Sequence, residues 1–135
     1  MEQERRFTLE EAQQLLDSEL RALAERMVQE RAKSRDLEAR WRKLVIAIGS
    51  NGGNMERPEV RDLRAAVEGS HAELREIVAR FTDQGVQVKD MDRGLIDFPA
   101  QVEGQEALLC WHVGEARIAF WHSPEEGFAG RKPLE

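Results

Sequence analysis

The sequence predicts an α+β fold: a long antiparallel, coiled-coil-like helical hairpin, then a small antiparallel β-meander of three to four strands and an irregular C-terminal tail. Three observations carry this. Apolar residues recur in steps of three and four from Leu9 to Ile48 and again from Val60 to Phe81, the heptad-like period of packed helices. After Gly85 the period drops to two. The pairs Glu103-Gly104 and Gly114-Glu115 then punctuate the alternating run at hairpin spacing. A chain of 135 residues suits a single domain over 1–135, with the hairpin at 8–85, the meander at 86–122 and the tail, packed on the sheet, at 123–135.

The first helix starts at Thr8. Thr8 and Glu11 form the S/T-x-x-E pattern, in which each side chain satisfies an amide near the other, and Phe7 and Ala12 occupy staple positions. The ladder Leu9, Leu16, Leu20, Leu23, Met27, Leu37, Trp41, Leu44, Ile48 follows, with Gln13, Glu30 and Ser34 as polar rungs. Gly49 ends it, and a helix over 8–48 spans about 60 Å. Residues 49–57 read as a loop, and Pro58 suits the first turn of a second helix, where its missing N–H costs nothing. That helix has the ladder Val60, Leu63, Val67, Ser70, Leu74, Ile77, Phe81 and ends at Gly85. A short connection between matching stripes makes the pair antiparallel. It sets Trp41 near Val67, with Gly69 leaving room for the indole. The first helix overhangs the second, so Leu9, Leu15, Leu16, Leu20 and Leu23 need a cover: the sheet, a second copy of the chain, or both.

Residues 86–90 form a short strand and 91–94 a turn, followed by strands at 95–102, 105–113 and 116–122. The two-residue connections set the register. Ile96 faces Trp111 and Phe98 faces Leu109 across the first; Trp111 faces Ile118 and Leu109 faces Phe120 across the second. One face then gathers apolar residues for the hairpin. The other carries Asp97, Pro99, Cys110, His112, Arg117 and Trp121.

Charged residues make up 34% of the chain and mean hydropathy is −0.60. No run approaches the roughly 18 apolar residues of a membrane span, so no membrane is expected. Lys and Arg number 20 against 26 Asp and Glu, a net charge of −6 that disfavours nucleic acid held by a basic field. The opening Met1–Arg6 stretch lacks the apolar core of a secretory signal. A single cysteine excludes an internal disulfide and fits a cytoplasmic protein.

On the mixed sheet face Cys110 has Asp97 opposite and His112 two residues along, the neighbours a thiol needs to become a nucleophile. The plainer reading is a small buried thiol under a subunit interface, with Asp97 paired to Arg117. Cys110, His112 and His122 are also residue types that hold zinc or iron. The register sends His122 to the face opposite Cys110, so His122 can instead converge with Glu125 or Glu126 and Asp90 or Asp92 at a sheet edge. In the tail, Phe128 and Leu134 favour packing back onto the protein, with Arg131 paired to Asp97 or Glu115.

The segments Phe7-Thr-Leu-Glu-Glu-Ala12, Val88-Lys-Asp90, Gly94-Leu-Ile-Asp-Phe-Pro99, Leu109-Cys-Trp111, Gly114-Glu115, Trp121-His122, Gly127-Phe-Ala-Gly-Arg131 and Pro133-Leu134 resemble a small bacterial family catalogued as domain of unknown function 2203. The resemblance brings no activity with it. It implies that Asp97, Cys110, Trp111, Glu115, Trp121, His122 and Arg131 occupy motif positions, and that a polar set around two tryptophans forms a ligand or partner site or a structural network. His112 lies outside the motif. The leading expectation is a homodimeric adaptor or ligand-binding module that meets a protein partner or small molecule through its sheet-and-tail surface. The alternative is a small zinc or iron protein, or a cysteine-dependent enzyme, using Cys110 with His122 or His112.

Overall fold

The computed structural model describes residues 5–50 and 52–134; Met1–Glu4, Asn51 and Glu135, and with them the first residues of the opening stretch, lie outside these. One helical rod runs from Leu9 to Ser50 as α1 (Leu9–Leu15), a π-helical turn (Leu16–Leu20) and α2 (Arg21–Ser50), and α3 (Pro58–Asp83) returns alongside it. Five strands follow, β1 (Gln87–Asp90), β2 (Leu95–Val102), β3 (Gln105–Trp111), β4 (Phe120–His122) and β5 (Lys132–Pro133), in an antiparallel sheet of order β1-β2-β3-β4-β5. The tail is therefore less irregular than its composition suggests. It holds a 3-10 turn (Phe128–Gly130) and the edge strand β5.

The predicted cap forms at the start of α1. Glu11 N–H donates to Thr8 Oγ1 at 3.1 Å, and Thr8 N–H to Glu11 Oε1 at 2.9 Å. Phe7 is buried edge-to-face on Phe98, with centroids 5.4 Å apart, and its N–H bonds to the Pro99 carbonyl. Ala12, Leu16, Leu20 and Ala24, spaced four apart, are all 0% exposed. In a regular α-helix such a row drifts by about 40° per step. The π-turn, closed by Arg21 N–H on the Leu16 carbonyl, absorbs part of that drift and keeps the row in the core formed with α3 and the sheet. The overhang is thus covered from within the chain: Leu16, Leu20 and Leu23 share one core with Phe98, Leu109, Trp111 and Ile118. Leu9, by contrast, is 43% exposed.

Farther along the hairpin Trp41 lies under Arg64 (5.4 Å), and Gly69 borders open space rather than the indole. Glu38 accepts from His71 at 2.7 Å, a hydrogen bond that holds the Glu38 carboxyl below its ordinary range. Among the described residues no helix is long and apolar enough to cross a membrane.

The β2–β3 register is the predicted one, Ile96↔Trp111 through Val102↔Gln105, because Glu103 (φ 53) and Gly104 (φ 79) make the left-handed two-residue turn that suits strand twist. The β3–β4 register is not. The tight turn forms one residue earlier, around Val113-Gly114 with Glu115 N–H donating to the His112 carbonyl at 3.1 Å, and residues 112–119 form a loop rather than a two-residue hairpin connection. Glu115 turns inward, its carboxylate accepting the His112 N–H and its carbonyl the Trp111 indole N–H. Helical side chains hold the far side: Gln13 accepts from Ile118 N–H at 2.9 Å, and Arg21 donates to the Ala116 carbonyl. The strand resumes only at Phe120, one residue out of the predicted register, with Leu109↔Trp121, Cys110↔Phe120 and Leu108↔His122. A one-residue slip exchanges the faces of a strand. Trp121 goes to the helix side, and Phe120 and His122 join Cys110.

Candidate functional site

The second face of the sheet is where the polar residues meet. Asp97 on β2 sits opposite Cys110 on β3, and His122 on β4 lies one row along. These three are 1%, 0% and 3% exposed, and their donor atoms all lie within 4.8 Å of one another. His122 Nδ1 is 2.8 Å from the Ser123 carbonyl, which can only accept, so Nδ1 carries a proton. Nε2 then faces Asp97 Oδ2 at 3.0 Å, with one proton held between acid and base. Asp97 Oδ1 is buried and no N–H or O–H donates to it; the protonated Cys110 thiol, a weak donor, is the group beside the carboxylate.

Burial dominates the electrostatics. It raises the Asp97 carboxyl above its ordinary range, against the pull of His122. Burial, together with the neighbouring Asp97 charge, pushes the Cys110 thiol up to about 12. Thiolate is scarce near neutrality at such a thiol, so Cys110 is a poor nucleophile as it stands.

A second cluster roofs the first. One Arg131 guanidinium nitrogen, Nη2, lies 2.7 Å from both Glu115 carboxylate oxygens and 3.4 Å from the Cys110 carbonyl, while Nε is buried without a partner. The guanidinium stacks on Phe120 (4.1 Å) and Phe128 (4.6 Å), and Arg93 covers Phe128 at 4.3 Å. Beyond it, Leu134 N–H donates to the Ala119 carbonyl and β5 closes on β4.

The candidate residues of the sequence thus divide into three groups. Asp97, Cys110 and His122 meet. Glu115 and Arg131 form the roof. Trp111 and Trp121 belong to the helix-facing side, Trp111 in the core and Trp121 packed against it under Lys132, so the polar set does not surround two tryptophans. His112 does not join Cys110 and His122: its Nδ1 faces the Val113 carbonyl and its Nε2 is 3.8 Å from Glu115. The partner of Asp97 is His122, not Arg117 or Arg131, and the convergence of His122 with Glu125, Glu126, Asp90 or Asp92 is replaced by that contact. The sequence did contain a signal for the register. Placing Trp121 inward and Phe120 with His122 outward gives buried Asp97 the polar neighbour it needs.

The model of the family described as "Uncharacterized conserved protein (DUF2203)" matches residues 5–134. The chain belongs to this family. No curated protein and no solved structure matches it. Both polar clusters lie within the matched span.

Proposed function

We propose that this protein is a non-enzymatic binding module, working as a homodimer, whose ligand is held by Asp97, Cys110 and His122 beneath the roof of residues 123–134. What supports this reading is Asp97 Oδ1, a carboxylate oxygen withdrawn from water that no N–H or O–H meets, with only the weak thiol donor of Cys110 beside the carboxylate. Such a group costs about 1–3 kcal/mol or more, and a buried acid–base pair contributes little net stability to offset it. A bound group that meets this poorly satisfied acceptor offsets the cost. A cysteine-dependent reaction is disfavoured by the raised thiol and by the separate placement of His112.

The test is apolar replacement. Compared with chelator-treated wild type, Asp97→Leu combined with His122→Leu should fold with an equal or higher melting temperature and lose any ligand retained from expression. A fall of more than a few degrees would make the cluster a structural network and overturn the reading.

The homodimer rests on the distal hairpin. There Trp41, Leu44, Val45, Leu63 and Val67 stay half-buried between only two helices, and Ile46 is 68% exposed. Residues 38–70 hold six basic and five acidic side chains, so two copies can approach without strong repulsion. Sedimentation at micromolar concentration should show a dimer; a clean 15.5 kDa monomer would refute it.

A further inference from the structure

We infer that the ligand of this site is a single divalent transition-metal ion of zinc type, bound by Asp97 Oδ1, Cys110 Sγ and His122 Nε2. The inference rests on the reading of the cluster as a binding site and names what it binds.

Three features of the geometry point to a metal rather than to an organic molecule. Donor atoms within 4.8 Å of one another, on residues at most 3% exposed, match the span that one ion bridges and are too close for a larger ligand. Each donor comes from a different one of three adjacent strands, so the sheet sets their spacing without help from a loop. His122 is already oriented as metal-bound histidines are. Its Nδ1–H is tied to a backbone carbonyl at 2.8 Å, which fixes the ring and reserves Nε2 for the ion.

The donor set also selects the kind of ion. A thiolate and an imidazole suit zinc and its borderline-soft neighbours and disfavour magnesium and calcium, which take oxygen ligands. One thiolate and one carboxylate offset the two charges of a divalent cation, so the complex is electrically neutral. That suits a place closed to water. Asp97 Oδ1, which no N–H or O–H meets, becomes a ligand atom. Three protein ligands leave the fourth position of a tetrahedral ion to a neutral molecule such as a single water carried in with it.

The test uses the full chain, first as purified and then after chelator treatment and titration with Zn²⁺ or Co²⁺. Native mass spectrometry should show one metal per chain. The Co²⁺ form should show a thiolate-to-metal absorption band in the near ultraviolet that Cys110→Ser abolishes. His122→Ala and Asp97→Asn should each weaken Zn²⁺ binding by more than the 10–100-fold typical of outer-shell changes, whereas His112→Ala should leave it unchanged. Circular dichroism of each variant checks that it folds. Absence of stoichiometric binding at micromolar Zn²⁺ would overturn the inference, and so would binding that survives both Cys110→Ser and His122→Ala, which belongs to surface carboxylates. A retained organic adduct lost on apolar replacement would overturn the metal and keep the binding reading. Destabilisation by apolar replacement would sink both.

Discussion

Truncating Arg131 tests whether the roof over the second sheet face is held by charge. Arg131→Ala leaves the Glu115 carboxylate without the guanidinium nitrogen that bridges both its oxygens at 2.7 Å, and it bares the faces of Phe120 and Phe128. Removing one partner of a fully buried ion pair costs about 3–5 kcal/mol. Here the two side chains are 13% and 17% exposed, and Glu115 keeps the His112 N–H. About 2 kcal/mol is therefore the appropriate share for the pair, and the ring contacts add about 0.5–1 kcal/mol. At about 2.1 cal/mol/K of unfolding entropy per residue, 135 residues convert a loss of about 3 kcal/mol into a fall of about 10 °C. Thermal melting by circular dichroism is the assay, with Lys132→Ala as control, because the exposed Lys132–Glu126 pair and the Lys132 contact on Trp121 are each worth at most about 1 kcal/mol. Arg131→Lys should recover about half of the loss, since one ammonium can still bridge the carboxylate but cannot stack on the rings. If Arg131→Ala melts within about 3 °C of Lys132→Ala, the roof is not held this way.

Three further outcomes are expected. Gly94→Ala should destabilise by about 1–3 kcal/mol in urea melts, because φ is +66° and the added methyl meets Val113 and Val28; Gly114→Ala, at φ +105° but in open space, should lose only the backbone part. Gln13→Ala should cost about 1–3 kcal/mol by orphaning the Ile118 amide, and hydrogen exchange at that amide should accelerate; unchanged exchange would mean that the loop is held by other contacts. For Cys110 the folded thiol is raised to about 12 from an ordinary 9.0, so above pH 9 the unfolded chain releases its proton first. Stability should fall as pH climbs from 9 towards 12, and metal-free Cys110→Ala should show a flatter alkaline limb than metal-free wild type.

Local chemistry made much of this fold legible in the sequence. The Thr8–Glu11 cap, the proline at the start of α3 and the Glu103-Gly104 turn each act within a few residues, and each is found where its residue types place it. The apolar ladders were legible for a similar reason, since a helix repeats its contacts every turn. Fine placement along them was not. Ala12 takes the buried position that the ladder gave to the rung between Leu9 and Leu16, because the core it joins is built from the sheet as well as from the second helix.

The candidate site marks the boundary most sharply. The chain alone determined that Asp97 and Cys110 are cross-strand neighbours, because a two-residue turn leaves one register and the apolar alternation agrees with it. It did not determine where His122 points. That depends on the loop 112–119, whose length is set by Gln13 and Arg21 from the helical rod and by Glu115 turned towards Arg131. Gln13 and Ile118 are 105 residues apart in the chain. No local preference encodes such a contact, and a single residue of slip decides which face of the sheet a side chain occupies. Sequence therefore supplied the residues of the cluster, and tertiary packing decided that three of them meet.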